Sequence, residues 1–581
     1  MPTLVHPQKV EYTTYPHHDP TIQQQHKDLV VQRKVSEPAS DREVVANGLP
    51  PPVIINEEES TAAAGQPSIK MARIDTSVRL QDTDAEGRPS IYLFIFVNPR
   101  SGDQKGSGFV NLPIQHFRLR RLPQVQVEFH NILDAHDREA GLDRIKLIED
   151  NVKNGQLPPI NTHKNEMGRL APAVRGRHIQ VWSAGGDGTV MSVFEMLVAR
   201  EIDLEHVFFS CNQVLGWGRT VPKKDILGPR LQHLEELLTQ RLEDSDAARL
   251  DIWQVQMSAH PVGFVRRAGP ERSDGHDVAE IDTPPVGHRT SMTRNMCNYL
   301  SIGVQGYVGS GFEKHRAGNR LANMVVYTIE SAKWLFWRQF PHVSNFIHRI
   351  VNGDETVLLV HQSDKDKDDG IPEMTKTPID MVIQNIPHIW GREVDLWGEA
   401  SSGLEAVRNR KGPTDPNNWT PQRENDGRLE VMVITNLFSY FKKLANIRSH
   451  VSRIGQFFTP FEIQFRDPEQ FRKDMAENRP GIFQRRNKYV KNNIICIMCD
   501  GEFYVMKDPE TLKFSRFAQI WTLGRRDEHV TGRLVKDELE SRRDGCNALE
   551  QAETPEHGAS GTPVPDDISS QNDRLGTTAT A

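Results

Sequence analysis

The chain carries two textures of apolar and polar positions. Between residues 89 and 247, short runs of β-branched and aromatic residues alternate with stretches of helical spacing. IYLFIFV (91–97) is continuously apolar and ends in NPRSG, which predicts a strand buried on both faces, the kind found in parallel sheets with helices on each side. VQVEFHNIL (125–133), HIQVWSA (178–184) and HVFFSC (206–211) predict further strands. DREAGLDRIKLIED (137–150), TVMSVFEMLVAR (189–200) and PRLQHLEELLTQRLE (229–243) predict helices. This alternation predicts an open, mainly parallel α/β sheet. From 248 to 525 the pattern changes: LDIWQVQM, CNYLSIGV, TVLLVH, DMVIQNI, RLEVMVI, FEIQF and NNIICIMCDGEFYV all read as strands, and NRLANMVVYTIESAKWLFWRQF (319–340) as one inserted helix. A second, β-rich, sandwich-like domain is expected there. Residues 1–88 and 526–581 sustain neither period and are expected to be disordered tails.

Composition narrows the function classes. Of 581 residues, 37% are hydrophobic and 26% charged, a low apolar fraction that fits a folded middle with disordered ends. The net charge of -7, from 71 basic and 78 acidic residues, gives no support to a nucleic-acid partner. No apolar run of membrane-spanning length occurs and the first twenty residues lack a signal-peptide core, so a cytoplasmic location is expected. Met-Pro at the start and TTATA at the end likewise argue against lipid anchors. The five cysteines do not suggest a disulfide scaffold, and Cys496 and Cys499, spaced along an expected strand, would point to opposite faces as buried apolar side chains rather than bind a metal.

The most specific feature is SAGGDGTV (183–190), between an expected strand and an expected helix. Gly185, Gly186 and Gly188 let the main chain approach a ligand, and the amides opening the helix, with the Thr189 hydroxyl, suit an anion such as phosphate. Asp187 in that turn would be repelled by phosphate unless a cation or proton intervenes, which suggests Mg²⁺ coordination or acid/base work. The plain alternative is a glycine-rich turn with a capping aspartate. VNPRSGDQKG (97–106) supplies a second polar turn, with Asn98, Ser101 and Gly102 at the carboxyl end of a strand. Asp500 and Glu502 lie in CDGEFY, where Asp-Gly is also a hairpin-turn signal. P-loop, dinucleotide-binding and protein-kinase signatures are absent.

The two loops in this order, followed by LGWG (215–218), NYLSIGV (298–304) with GSGFEKHR, the helix NRLANMVVYTIESAKWLF and CDGEFY (499–504), resemble the diacylglycerol kinase family, which is related to sphingosine and ceramide kinases. The resemblance spans about residues 90–525. It implies a nucleotide-binding catalytic α/β domain at 89–247, an accessory lipid kinase domain at 248–525, and transfer of phosphate from ATP with Mg²⁺ to the primary hydroxyl of diacylglycerol, giving phosphatidic acid. A sphingoid-base or ceramide kinase is the nearest alternative. By the same resemblance Asn98, Ser101 and Gly102 would line the nucleotide site, Gly185, Gly186, Gly188 and Thr189 would cradle the phosphates, and Glu502 would join them. Either Asp187 or Asp500 would be the base.

Two departures from the family pattern stand out. Between VFFSC and LGWG the family has a Pro-x-Gly-Thr-Gly-Asn-Asp stretch, and here only a few residues, Asn212 among them, remain. That favours a catalytically impaired lipid- or partner-binding relative as a further reading. Gln305 also stands where an Asp is common. The implied substrate resides in membranes, so peripheral association with an anionic membrane surface is expected. Trp334, Phe336, Trp337 and Phe340 beside Lys333 and Arg338 are candidates for that contact, against core packing suggested by Met324, Val325 and Tyr327 on the same helix. Lys314, His315, Arg316 and Arg320 form a second basic candidate.

Overall fold

In a computed structural model of the chain, residues 89–525 are described apart from 101–105, 113–114, 161–176, 212–226, 228–230, 270–288, 316–319, 335, 337–338, 361–369, 390–391, 394–395, 399–402, 437, 440–450 and 478–487. Both expected tails lie outside the described residues, as do Ser101, Gly102, Asn212 and LGWG.

Strand β1 (Ile91–Val97) is buried along its whole length, as its unbroken apolar run requires. It runs parallel to β3 (Val125–Asn131) on one side and to β4 (Ile179–Ala184) on the other. β4 is parallel to β5 (Val207–Cys211), and the short strand β2 (His116–Arg118) lies antiparallel on the outer edge of β3. The strand order β2-β3-β1-β4-β5 makes the chain leave β1 to one side and return on the other. Between β1 and β4 the connections therefore diverge, and ligands of open parallel sheets bind at the carboxyl ends beside such a point. Four helices accompany these strands: α1 (Ser107–Val110), α2 (Ala135–Lys153), α3 (Asp187–Ala199) and α4 (Gln232–Glu243). Leu93, Ile95 and Val127 on one sheet face pack with Leu234, Leu238 and Leu242 of α4.

The opposite face holds charge beneath α2. Glu128 and His130 of β3 are buried, His130 Nδ1 meets Asp137 of α2 at 3.1 Å, and Arg144 and His116 approach Glu128 at 3.5 and 3.6 Å. Gly141 permits this fit, because a Cβ there would stand 2.7 Å from the His130 ring. Burial disfavours a charged His130, but Asp137 and Glu128 outweigh it and raise its pKa to about 9. Burial likewise pushes the Glu128 carboxyl up, and His116, His130 and Arg144 hold it well below its usual range instead. The His130 contribution to stability is thus complete below its ordinary pKa of 6.5 and is lost as pH rises through about 9. Thermal unfolding of the wild-type protein should weaken across that window, and His130→Gln should remove that slope; an equal slope in the variant would show that His130 is not the group responsible.

The remaining strands are β6 (Ser245–Arg267), β7 (Ser291–Met296), β8 (Tyr299–Gly303), β9 (Ile347–Asn352), β10 (Glu355–Leu359), β11 (Glu373–Met374), β12 (Asp380–Gln384), β13 (His388–Ile389), β14 (Arg392–Glu393), β15 (Val407–Arg408), β16 (Arg428–Ile434), β17 (Ser452–Phe458), β18 (Phe461–Phe465), β19 (Ile494–Cys499) and β20 (Glu502–Arg525). β20 pairs antiparallel with β6 over almost its full length, and near its end Trp521 and Thr522 pair with Phe208 and Phe209 of β5. The parallel sheet and the β-rich region are therefore one hydrogen-bonded network, and the boundary expected near residue 247 falls inside β6. Two arms leave β20, one through β19, β8, β12, β16 and β17, the other through β18, β9, β10, β11 and β15. Ile302, Ile383 and Val431 from the first arm meet Ile350 and Ile463 from the second in one core. Strand alternation is explicit in β12: Met381 and Ile383 enter that core, while Val382 faces Trp397 and Met432 on the other side. Cys499 joins the main core and Cys496 the opposite face, with burial pushing the Cys496 thiol up to about 12.

Helix α5 (Val304–Lys314) lies on the outer face of β19, and α6 (Arg320–Lys333) packs on α5. CNYLSIGV, expected as a strand through residue 304, ends at Gly303, whose φ of +128° turns the chain into α5. A Cβ at Gly306 would stand 2.3 Å from the Cys496 backbone, so α5 can lie this close to β19 only with glycine there. Gln305 is buried and accepts a hydrogen bond from the Tyr299 hydroxyl at 2.8 Å, a packing role in place of the acid common at that position.

Candidate active site

The loops after β1 and β4 meet at the switch point. Asn98 donates its backbone N–H to Ala184 O at 2.9 Å and its Nδ2 to Thr189 Oγ1 at 3.1 Å, so one side chain ties the first turn to the second. Gly185 has no room for a side chain, since a Cβ would lie 2.4 Å from Thr189 Oγ1. In front of Gly186 the space is open: apart from its chain neighbours and the helix backbone, no atom of the described residues lies within 4 Å of a Cβ built there. Gly186 is the N-cap of α3 in extended conformation, Asp187 is the first helical residue, and Thr189 and Val190 donate back to Gly186 O at 2.8 and 3.2 Å. The Asp187 backbone therefore sits at the positive end of a thirteen-residue helix, where an anion is stabilised.

Glu502 reaches this turn from the start of β20. Its Oε1 would lie 3.3 Å from a Cβ on Gly188, and it accepts from Arg267 Nη2 at 2.6 Å, while Oε2 accepts from the Tyr504 hydroxyl at 2.5 Å. Glu195, on α3, adds a carboxyl whose pKa burial raises, helped by Glu502 and opposed by Arg294; Asn295 Nδ2 donates to it at 3.4 Å. Arg267, Glu195 and Tyr504 were not singled out in the sequence. Glu195 lies seven residues past Gly188 on the same helix face, the one signal available in advance.

Asp500 is placed differently. It is buried, and its two oxygens accept the backbone N–H groups of Cys297, Asn298 and Tyr299 at 2.6 to 3.3 Å. With Gly501 it forms the turn between β19 and β20, both residues at positive φ (+43° and +78°), as the Asp-Gly hairpin signal anticipates. A carboxylate bonded by three amides is a weak base, because those bonds favour its charged form. The geometry gives Asp500 the task of clamping the β7–β8 turn to the hairpin that carries Glu502.

Elsewhere among the described residues, Glu149, Asp203 and His206 bring possible metal-ligand atoms within 4.8 Å of one another. Glu149 is buried and already occupied by Lys146, Lys153 and the Asp203 N–H at 2.7 to 2.8 Å, so its carboxylate is taken up by those partners.

Residues 295–475 match the family model of the diacylglycerol kinase accessory domain. The match supports assignment of the chain to the diacylglycerol kinase family. The matched segment covers β8, α5 and α6 and stops before the β19–β20 hairpin, so the glycine turn and Glu502 lie outside it. Two solved structures, each of a protein called a "putative diacylglycerol kinase" from Bacillus anthracis str. Sterne, are similar at 11% and 10% identity, covering 74% and 75% of this chain and 94% and 97% of theirs, with a TM-score of 0.33 in both cases. No curated protein matches the chain. That family suggests a kinase phosphotransferase, with ATP implied as donor and a lipid as acceptor. No helix among the described residues is long and apolar enough to cross a membrane.

Proposed function

We propose that this kinase phosphorylates the primary hydroxyl of diacylglycerol with ATP and Mg²⁺, giving phosphatidic acid, at the junction of the β1 and β4 turns. The observation that carries the reading is the convergence there of Asn98, the glycine turn and Glu502. The residues fit the implied groups: Gly186 faces open space beside helix-opening amides, and Glu502 brings a carboxylate, the kind of oxygen ligand Mg²⁺ prefers, to the turn. ATP with Mg²⁺ contributes the transferable phosphoryl group and the charge that offsets it.

The protein's part in such chemistry is positioning and charge stabilisation. Asn98, Ser101 and Gly102 line the nucleotide. Thr189 Oγ1 accepts from Asn98, which leaves its own hydrogen to donate to a phosphate oxygen. Gly185, Gly186 and Gly188 allow the backbone to approach, and Arg267, held by Glu502, brings a guanidinium to the same place. Asp187 takes the proton of the lipid hydroxyl; Asp500, saturated by backbone amides, does not. The protein works in the cytoplasm at the surface of an anionic membrane, where its substrate resides.

Purified protein should convert diacylglycerol in mixed micelles to phosphatidic acid faster than it phosphorylates sphingosine or ceramide, and preference for either of those would overturn the substrate assignment. Asn98→Ala should raise the KM for ATP by about tenfold through loss of one hydrogen bond between the turns; an unchanged KM would remove Asn98 from the nucleotide site. A second reading, lipid binding without turnover, is favoured by the short segment between Cys211 and Leu215. Retained micelle binding with no phosphatidic acid formed would establish it.

A further inference from the structure

Helix α6 is turned inside out. Met324, Val325 and Ile329 are 58%, 56% and 49% exposed, and Phe336, just beyond the helix, is 71% exposed. Burial goes instead to Glu330, which lies between His315 at 3.2 Å and Lys333 at 2.6 Å, and to Trp334, which stacks with Phe340 and packs on Tyr307 and Tyr489. A carboxylate inside and a methionine, valine and isoleucine outside reverse the ordinary arrangement of a surface helix. Half of the eight large apolar side chains exposed among the described residues fall in these thirteen positions, and Val325 and Ile329, four apart, share one side of α6. The expected membrane contact is thereby redistributed: Trp334 belongs to the core, whereas Met324 and Val325, which argued for core packing, face outward.

Charge in this stretch of the sequence selects the partner. Residues 314–338 contain Lys314, Arg316, Arg320, Lys333 and Arg338 against the single acid Glu330, in a chain whose net charge is -7. That one acid is turned inward. Exposed apolar side chains in a stretch of sequence rich in cations suit an anionic bilayer, where apolar groups enter the headgroup boundary and basic stems lie along it. The face is also coupled to the candidate site. Gly311 of α5 accommodates Glu330, a Cβ there standing 2.4 Å from Oε2, and Gly309 accommodates Phe503, the residue after Glu502. One helix thus separates the apolar face from the strand bearing the site carboxylate.

We propose that Met324, Val325, Ile329 and Phe336 dock the protein on an anionic lipid bilayer. The proposal rests on the lipid-kinase reading only for the purpose it gives the contact. The test uses the full chain and the variant Met324→Gln/Val325→Gln/Ile329→Gln, sedimented with vesicles of phosphatidylcholine alone and of phosphatidylcholine with phosphatidylserine. The wild type should bind the phosphatidylserine vesicles more strongly, less so at high salt, and the variant should lose about tenfold or more of that binding. Both proteins should phosphorylate a short-chain diacylglycerol, dissolved as monomers, at the same rate. Equal vesicle binding by the two proteins, or none by the wild type, would overturn the proposal, as would loss of a dimer rather than of vesicle binding in the variant. Absence of short-chain phosphorylation in both would count against the kinase reading while leaving the vesicle result to decide the docking face.

Discussion

Asp187→Asn is expected to lower kcat for phosphatidic acid formation by about 10²–10⁴-fold, the usual contribution of a positioned proton acceptor. An alcohol is a poor nucleophile until its proton has somewhere to go, and the Asp187 backbone opens α3 beside the glycine turn where the phosphates are proposed to sit. Asparagine preserves size and hydrogen bonding but cannot accept that proton. The KM for ATP should change much less than kcat, because the amides and the Thr189 hydroxyl at the turn are retained. Stability should fall only slightly, by the fraction of a kcal/mol to about 1 kcal/mol that an acid in the first turn of a helix contributes. Full turnover by a folded Asp187→Asn protein would sink the active-site assignment.

Replacement of Asp500 should act on the fold rather than on the proton. Asp500→Ala leaves three buried backbone N–H groups without their acceptor, at about 1–3 kcal/mol each before relaxation, so a net loss of roughly 3–5 kcal/mol is expected. For a folded region of this size that is about 3–5 °C in the midpoint of thermal unfolding. Asp500→Asn should also destabilise, since one of its two acceptors becomes an N–H₂ group facing other donors. Activity measured well below the transition should be reduced through displacement of Glu502 rather than abolished. The opposite outcome, an Asp500→Asn protein with unchanged thermal midpoint and no activity, would make Asp500 the base and Asp187 the anchor.

These two aspartates show how differently a motif and its role are legible. Both lie beside glycines in short acidic turns, and residue type alone left either of them as the base. What separates them is the location of the three amides of residues 297–299, about two hundred positions away in sequence. Local pattern carries no information on such a contact, because Asp500 meets those amides only after β19 pairs with β8.

The sequence by itself determined the elements whose cause is local: the doubly buried strands β1 and β4, the glycine turn opening α3, the Asp-Gly hairpin, and the opposite orientation of Cys496 and Cys499. Each follows from side-chain period or from the backbone freedom of glycine. Only the tertiary structure decided what depends on partners remote in the chain. It placed Asn98 on Thr189 through the order β3-β1-β4, brought Glu502, Arg267 and Tyr504 to the glycine turn, and extended β20 through charged sequence that no apolar period announces, because β6 supplies its hydrogen bonds. It also rotated α6 so that a paired carboxylate went inside. A helix shows which residues share a face, but which face is buried is set by what packs against it, here the glycines of α5 and the aromatic rings around Trp334.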